Sequence, residues 1–129
     1  MAVVYNEMKR IFSLHTRNST YQIKADRYGY LLHLYYGKKI SADMDYLLPY
    51  HDRGFSGNPY DAGEDRTYSL DVLPQEFPVL GTGDFRNSAL KIKEEGGYYG
   101  CDLRYVGYQI LNGKYTIPNL PAAYADKMA

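Results

Sequence analysis

Period-two alternation of apolar and polar side chains is the feature of this sequence that most limits its fold. In an extended chain over residues 11–16, Phe12 and Leu14 share one face, opposite Ser13 and His15. Tyr21, Ile23 and Ala25 share a face in the same way. Successive side chains of a strand point to opposite faces, so this pattern predicts strands. No segment shows an apolar 3.6-residue period long enough for an amphipathic helix.

Further strands are expected along the rest of the chain. Residues 30–36 are apolar on both faces apart from His33, which is typical of a central strand or of one packed against a partner. Alternation resumes over residues 67–72, and residues 90–111 favour two hairpins, the second turning at Asn112-Gly113. Short strands separated by turns, without intervening helices, predict an all-β, antiparallel β-sandwich.

Composition excludes several functional classes. The 129 residues fit one domain, and 15 basic residues cancel 15 acidic ones, so we expect no nucleic-acid partner. No apolar stretch approaches the roughly 18 residues that span a bilayer, so we expect no membrane partner. The first residues turn polar too quickly for a secretion signal, and Cys101 is the only cysteine. These features favour a cytoplasmic protein.

Catalytic signatures are incomplete in this sequence. His15, His33 and His51 are too widely spaced for a typical metal site, so neither a metal nor another cofactor is expected. There is no nucleophile elbow, and Gly81-Thr82-Gly83 lacks the rest of a dinucleotide fingerprint. A pair of catalytic carboxylates between Asp52 and Asp65 stays open, although acidic residues are also favoured in turns.

One long loop is the strongest candidate for a functional segment. Residues 51–66 contain three glycines, a proline and many polar side chains, which indicates irregular structure. The chain also has 16 tyrosines, 4 phenylalanines and no tryptophan. Tyrosine suits half-buried strand faces, and it also suits sugar-stacking surfaces. Composition does not separate these two interpretations.

Seven segments, in order along nearly the whole chain, carry a family resemblance. They are residues 30–38, 52–59, 65–71, 73–77, 83–86, 102–105, and 113–114 followed by 120–122. In these segments the chain resembles the N-terminal domain of bacterial α-galactosidases of glycoside hydrolase family 36.

The resemblance implies both an architecture and an activity. Such enzymes combine a large N-terminal β-supersandwich, a central (β/α)8 barrel and a small C-terminal β domain. They hydrolyse terminal α-galactosyl groups, as in raffinose and melibiose, with retention, and their catalytic aspartates lie in the barrel. We therefore expect residues 1–129 to be a fragment of the N-terminal sandwich, with no catalytic residue of its own and no activity when isolated.

The resemblance also implies a role for the long loop. In tetrameric relatives this loop walls the sugar pocket of a neighbouring subunit, which makes Asp52 and Arg66 candidate substrate-binding residues, with apolar contact from Phe55 and Tyr60. A carboxylate and a guanidinium complement sugar hydroxyls, which both donate and accept hydrogen bonds. The alternative is that Asp52 and Arg66 pair and brace the loop, and both roles are compatible.

Two other functions stay open at the level of sequence. The resemblance favours an accessory domain of an α-galactosidase. The two alternatives are a stand-alone carbohydrate-binding module and a scaffold that builds the oligomer. A partial sandwich leaves sheet edges and an apolar face uncovered, so we expect self-association into a homo-oligomer, a tetramer in the parent protein.

Overall fold

A computed structural model describes residues 2–52, 54, 58–113 and 116–121. Its regular structure is one antiparallel sheet of four strands, β1 (Ala2–Asn6), β2 (Ile11–His15), β3 (Ser19–Ala25) and β4 (Leu31–Lys38). The spatial order is β1-β2-β3-β4, so each strand pairs with its neighbour in sequence. Two short 3-10 turns, Asp45–Leu47 and Tyr60–Ala62, follow the sheet. The all-β, antiparallel prediction is therefore confirmed.

The turn between β3 and β4 lies where the sequence predicts it. Asp26 accepts the backbone N–H of Gly29 at 3.2 Å, and Gly29 has a φ of +86°. Glycine adopts this left-handed conformation without the steric penalty of a side chain. A β-bulge between β3 and β4, opposite Gln22 and Ile23, shifts the register by one residue. Leu32 and Leu34, two residues apart in β4, both reach the core.

One face of the sheet carries the hydrophobic core, and residues from the segments 44–48 and 62–73 pack over it. We call this the packed face. The buried members of the core are Ile11, Tyr30, Leu32, Leu34, Leu48, Ala62, Tyr68, Leu70 and Leu73. Residues before and after the long loop thus lie in the same core, which fixes both ends of the loop.

Strand β3 corrects the sequence interpretation of its faces. Alternation placed Gln22 on the polar side, yet its side chain is 1% exposed. It donates to Ser13 Oγ at 3.0 Å and to the carbonyl of Ala42 at 2.9 Å, and it accepts the N–H of Met44 at 3.1 Å. Burial costs little here because the amide finds hydrogen-bond partners. Residues 42–44 cover Gln22, and this contact with a segment outside the strand cannot be predicted from the alternation within β3.

The predicted strands beyond β4 are also wrong for the described residues. Residues 66–73 form turns, in which the N–H groups of Val72 and Leu73 bond to the carbonyl of Ser69. Residues 91–111 are extended or turned chain without a strand ladder. Tyr68, Ser69 and Leu70 are all buried. The apolar residues of the segment 67–72 are therefore explained by packing on several sides, and not by a strand with one solvent-exposed face.

The second face of the sheet is only partly covered. Val3, Phe12, Leu14, Ile23 and Leu31 form a cleft of about 370 Å³ with residues 105–111. We call this surface the open face. Tyr105 and Tyr108 contact the ring of Phe12 there, with centroid distances of 6.2 and 5.0 Å. Tyr108 and Ile110 remain about half exposed.

An ion pair at residues 84–86 braces the turns under the core. Asp84 is 1% exposed at its side chain, and Arg86 donates to both of its carboxylate oxygens. Arg86 also donates to the carbonyls of Leu70 and Leu73 at 2.8 and 2.7 Å. Burial acts to raise the pKa of Asp84, but the hydrogen bonds from Arg86 outweigh it, so this pKa lies below its usual value.

Arg86→Ala is expected to reduce the free energy of unfolding by about 3–5 kcal/mol, because it leaves a buried carboxylate without its cation. Asp84→Ala is expected to cost less, since Arg86 is 44% exposed and water can solvate it. The depressed pKa of Asp84 means that the pair stabilises the fold above about pH 4 and loses this effect as pH falls further. Urea denaturation at neutral and acidic pH measures both effects, and equal losses for the two variants would contradict the ranking.

Candidate functional site

The long loop leaves and re-enters the hydrophobic core at buried residues. Leu48 precedes it and Tyr68 follows it, and Ala62 in the second 3-10 turn is buried between them. The three residues are 7%, 0% and 6% exposed, respectively. The loop is therefore anchored at both ends and near its middle, while Asp52, Asp61, Glu64 and Arg66 between these anchors are exposed.

Asp52 and Arg66 lie together at the exposed part of the loop. Arg66 Nη2 is 3.2 Å from Asp52 Oδ1, and the two side chains are 60% and 52% exposed. Asp52 Oδ1 also accepts the N–H of Gly54 at 2.7 Å, which closes a local turn. The pair thus presents one carboxylate and one guanidinium to solvent, which is the donor and acceptor set that sugar hydroxyls require.

Of the other two predicted substrate-binding residues, Tyr60 and Phe55, only Tyr60 is among the described residues. Tyr60 begins the second 3-10 turn, its ring is 98% exposed, and its hydroxyl bonds to no described residue. An aromatic ring in this state offers an apolar surface for contact. Phe55 lies outside the described residues.

Asp65 holds the returning arm of the loop. It pairs with Arg27 in the turn between β3 and β4, and it accepts hydrogen bonds from the N–H and hydroxyl of Thr67 at 3.0 and 2.6 Å. Its backbone carbonyl accepts the side-chain amide of Asn58 at 2.9 Å. Hydrogen bonds from Thr67, followed by the pairing with Arg27, lower the pKa of Asp65. A general acid of a glycosidase needs the opposite shift.

Arg104 holds the middle of the loop from another part of the chain. Its Nη2 lies 3.0 Å from Asp61 Oδ2 in the second 3-10 turn, and its Nε donates to Asp102 at 2.7 Å. Each described carboxylate of the loop at positions 52, 61 and 65 thus has its own arginine. The pairs at Asp61 and Asp65 connect the loop to arginines outside it.

The described part of the chain shows neither a candidate metal site nor a candidate membrane span. No group of three or more His, Cys, Asp or Glu side chains within it is arranged to hold a metal ion. Among these same residues there is no helix of sufficient length and apolarity to cross a bilayer.

Sequence reasoning paired Asp52 with Arg66 but missed the residues that hold the loop. Arg27 pairs with Asp65 and Arg104 pairs with Asp61, and both arginines are distant from the loop in sequence. The Asp102-Leu103-Arg104-Tyr105 motif was visible in the sequence, but its partner in the loop was not, because no local period links the two.

Comparison with known proteins identifies the family. The profile of the glycosyl hydrolase family 36 N-terminal domain matches residues 29–129. The chain belongs to this family.

Two relatives illustrate the match. Over 127 residues the chain is 61% identical to the bifunctional alpha-galactosidase/sucrose kinase AgaSK of Mediterraneibacter gnavus, covering 98% of this chain and 14% of the relative. The galactosidase domain of AgaSK superposes with a TM-score of 0.90, over 98% of this chain and 18% of that one. The alpha-galactosidase AgaA of Geobacillus stearothermophilus, solved as a variant with raffinose, gives a TM-score of 0.79 at 39% identity, over 92% of this chain and 16% of that one.

The chain corresponds to a small part of each of these relatives. The chain spans less than a fifth of the length of the relatives it matches. It is therefore similar to the N-terminal part of α-galactosidases.

The exposed Asp52–Arg66 pair is expected to contribute little to stability. Asp52→Asn and Arg66→Ala should each change the free energy of unfolding by less than about 0.5 kcal/mol, because solvent screens both side chains. A double-mutant cycle in urea denaturation should give a coupling energy below about 1 kcal/mol. A coupling energy well above this value would show that the pair braces the loop.

Proposed function

We propose that this chain is an accessory N-terminal domain of a retaining α-galactosidase, and that its loop at residues 51–66 contributes to the wall of a sugar-binding pocket in a neighbouring subunit. The observation that carries the proposal is the exposed Asp52–Arg66 pair, which is presented by a loop anchored in the core. Exposure keeps its polar atoms available to a ligand. The family supplies the reaction, the hydrolysis of terminal α-D-galactosyl groups.

The substrate class follows from the relatives. Alpha-galactosidase AgaA variants bind raffinose and stachyose. Both contain the terminal α-galactosyl unit, and we propose that the parent protein acts on the same class, including melibiose. In this proposal the carboxylate of Asp52 accepts from sugar hydroxyls, Arg66 donates to them, and Tyr60 and Phe55 add apolar contact.

Assembly into a homo-oligomer is part of the proposal. The open face exposes apolar side chains beside its cleft, and β1 is an edge strand without a partner on its outer side in the described part of the chain. Apolar faces and free edges favour association with another chain. A tetramer brings the loop of one subunit to another, which the proposed site requires. The single cysteine supports a reducing, cytoplasmic setting.

The isolated chain is expected to hydrolyse no galactoside. The loop carboxylates of Asp52, Asp61 and Asp65 are paired with arginines, and the family's catalytic aspartates belong to the barrel. An assay with an activated aryl α-galactoside checks this, and turnover that co-purifies with the chain would contradict it. Calorimetric titration with raffinose separates the alternative, because tight binding by the isolated chain would indicate a stand-alone carbohydrate-binding module.

Arg66→Ala in the full-length enzyme is expected to lower kcat/KM for raffinose roughly tenfold or more. Losing a charged hydrogen bond to substrate costs about 1.5–3 kcal/mol. Light scattering serves as the control, since the oligomer should stay intact. Unchanged kcat/KM in an intact oligomer would remove the loop from the sugar site, and dissociation of the oligomer would assign Arg66 to assembly.

A further inference from the structure

Arg104 is fixed by three contacts that do not involve the loop. Its Nη1 donates to the carbonyl of Tyr28 at 2.6 Å and its Nε donates to Asp102 at 2.7 Å. Its guanidinium lies over the ring of Tyr30, with 4.2 Å between Cζ and the ring centroid. Hydrogen bonding with Asp102 raises the pKa of Arg104 still further, so it stays charged.

The turn on which Arg104 rests is itself rigidly held. Tyr30 is 2% exposed, and its hydroxyl donates to Asp102 at 3.2 Å. The N–H of Tyr105 donates to the carbonyl of Gly29 at 2.7 Å. The Arg104 guanidinium is therefore a cation placed at a defined point by the sheet, and its side chain is only 28% exposed.

The fourth contact of Arg104 reaches the loop. Its Nη2 lies 3.0 Å from Asp61, whose side chain is 51% exposed. Within the loop, the N–H of Asp65 donates to the carbonyl of Ala62 at 3.0 Å, and Asn58 bonds to the carbonyl of Asp65. A short series of bonds thus links Asp61 to Asp65, the residue directly before Arg66.

We propose that Arg104 is a positioning residue for the sugar-binding loop: by holding Asp61, it sets the place of Arg66 relative to the bound α-galactoside. This inference rests on the proposed function of the loop. A planar guanidinium satisfies three partners in fixed directions, whereas an ammonium group acts as a point charge. Arg104 contacts no substrate in this proposal and acts only through the loop.

The chain offers a matched pair of variants for the test. Asp61→Asn removes the charge that Arg104 holds and leaves the contacts of Arg104 with Tyr28 and Asp102 in place. Glu64→Gln removes the same charge from the same loop at an exposed residue that makes no ion pair with any other described residue. Both are made in the full-length enzyme, alongside Arg104→Lys, Arg66→Ala and the double variant of Asp61 and Arg66.

Asp61→Asn and Arg104→Lys are expected to lower kcat/KM for raffinose roughly three- to thirtyfold, mainly through KM, while Glu64→Gln leaves it unchanged. The double variant should have the same kcat/KM as Arg66→Ala, because in this proposal Asp61 acts only through the contact that Arg66 makes with the substrate. Amide hydrogen exchange in the peptide that spans residues 58–66 should accelerate in Asp61→Asn and not in Glu64→Gln.

The possible outcomes separate this inference from the proposed function. If Arg66→Ala lowers kcat/KM but Asp61→Asn and Arg104→Lys do not, the positioning role is overturned and the loop keeps its place in the sugar site. Additive losses in the double variant, or unchanged exchange at residues 58–66, also overturn it. If Arg66→Ala has no effect, the proposed function fails first, and the positioning role fails with it.

Discussion

The buried carboxylate of Asp26 is the interaction on which much of this structure depends. Asp26 is 2% exposed, and it accepts the N–H groups of Tyr28 and Tyr30 at 2.9 and 2.8 Å and the hydroxyl of Tyr68. A buried carboxylate is tolerated only when such donors surround it. One residue therefore ties the β3–β4 turn to the residue at which the long loop returns to the core. Burial, together with this hydrogen bond, raises the pKa of the Tyr68 phenol.

The same turn also supports the two arginines that form ion pairs with the loop. Arg27 holds Asp65, and the carbonyl of Tyr28 holds Arg104, which in turn holds Asp61. Both guanidinium groups stack on tyrosine rings, with Cζ-to-centroid distances of 4.8 Å for Arg27 over Tyr28 and 4.2 Å for Arg104 over Tyr30. The tyrosine-rich composition thus has a structural use here: the rings support cations.

Local patterns predicted what local interactions determine. Strands β2 to β4 and the turn at Asp26 were accessible from periodicity and from the glycine at position 29, because each depends on neighbours in sequence. The burial of Gln22 and the turns at residues 66–73 were not, because both depend on distant segments that pack against them. The first predicted hairpin keeps its turn, where the N–H of Gly97 donates to the carbonyl of Glu94 and the N–H of Glu94 to that of Tyr98, but residues 91–111 form no strand ladder. Alternation at residues 105–111 reflects ring contact with the open face, and residues 114–115, directly after the second turn, lie outside the described residues.

The candidate site shows a similar division between what sequence reveals and what it hides. Resemblance to a family identified Asp52 and Arg66, because those residues stand in a matching segment. It did not identify what holds them. Exposed ion pairs stabilise a fold very little, so the exposed Asp52–Arg66 pair at the ends of the loop is not enough to order it. Arg104, at 28% exposed, is half as accessible as Arg66 at 60%. Arg104 holds the middle of the loop through Asp61, whereas Arg66 at the end of the loop leaves more than half of its side chain exposed, so order and accessibility reside in different arginines.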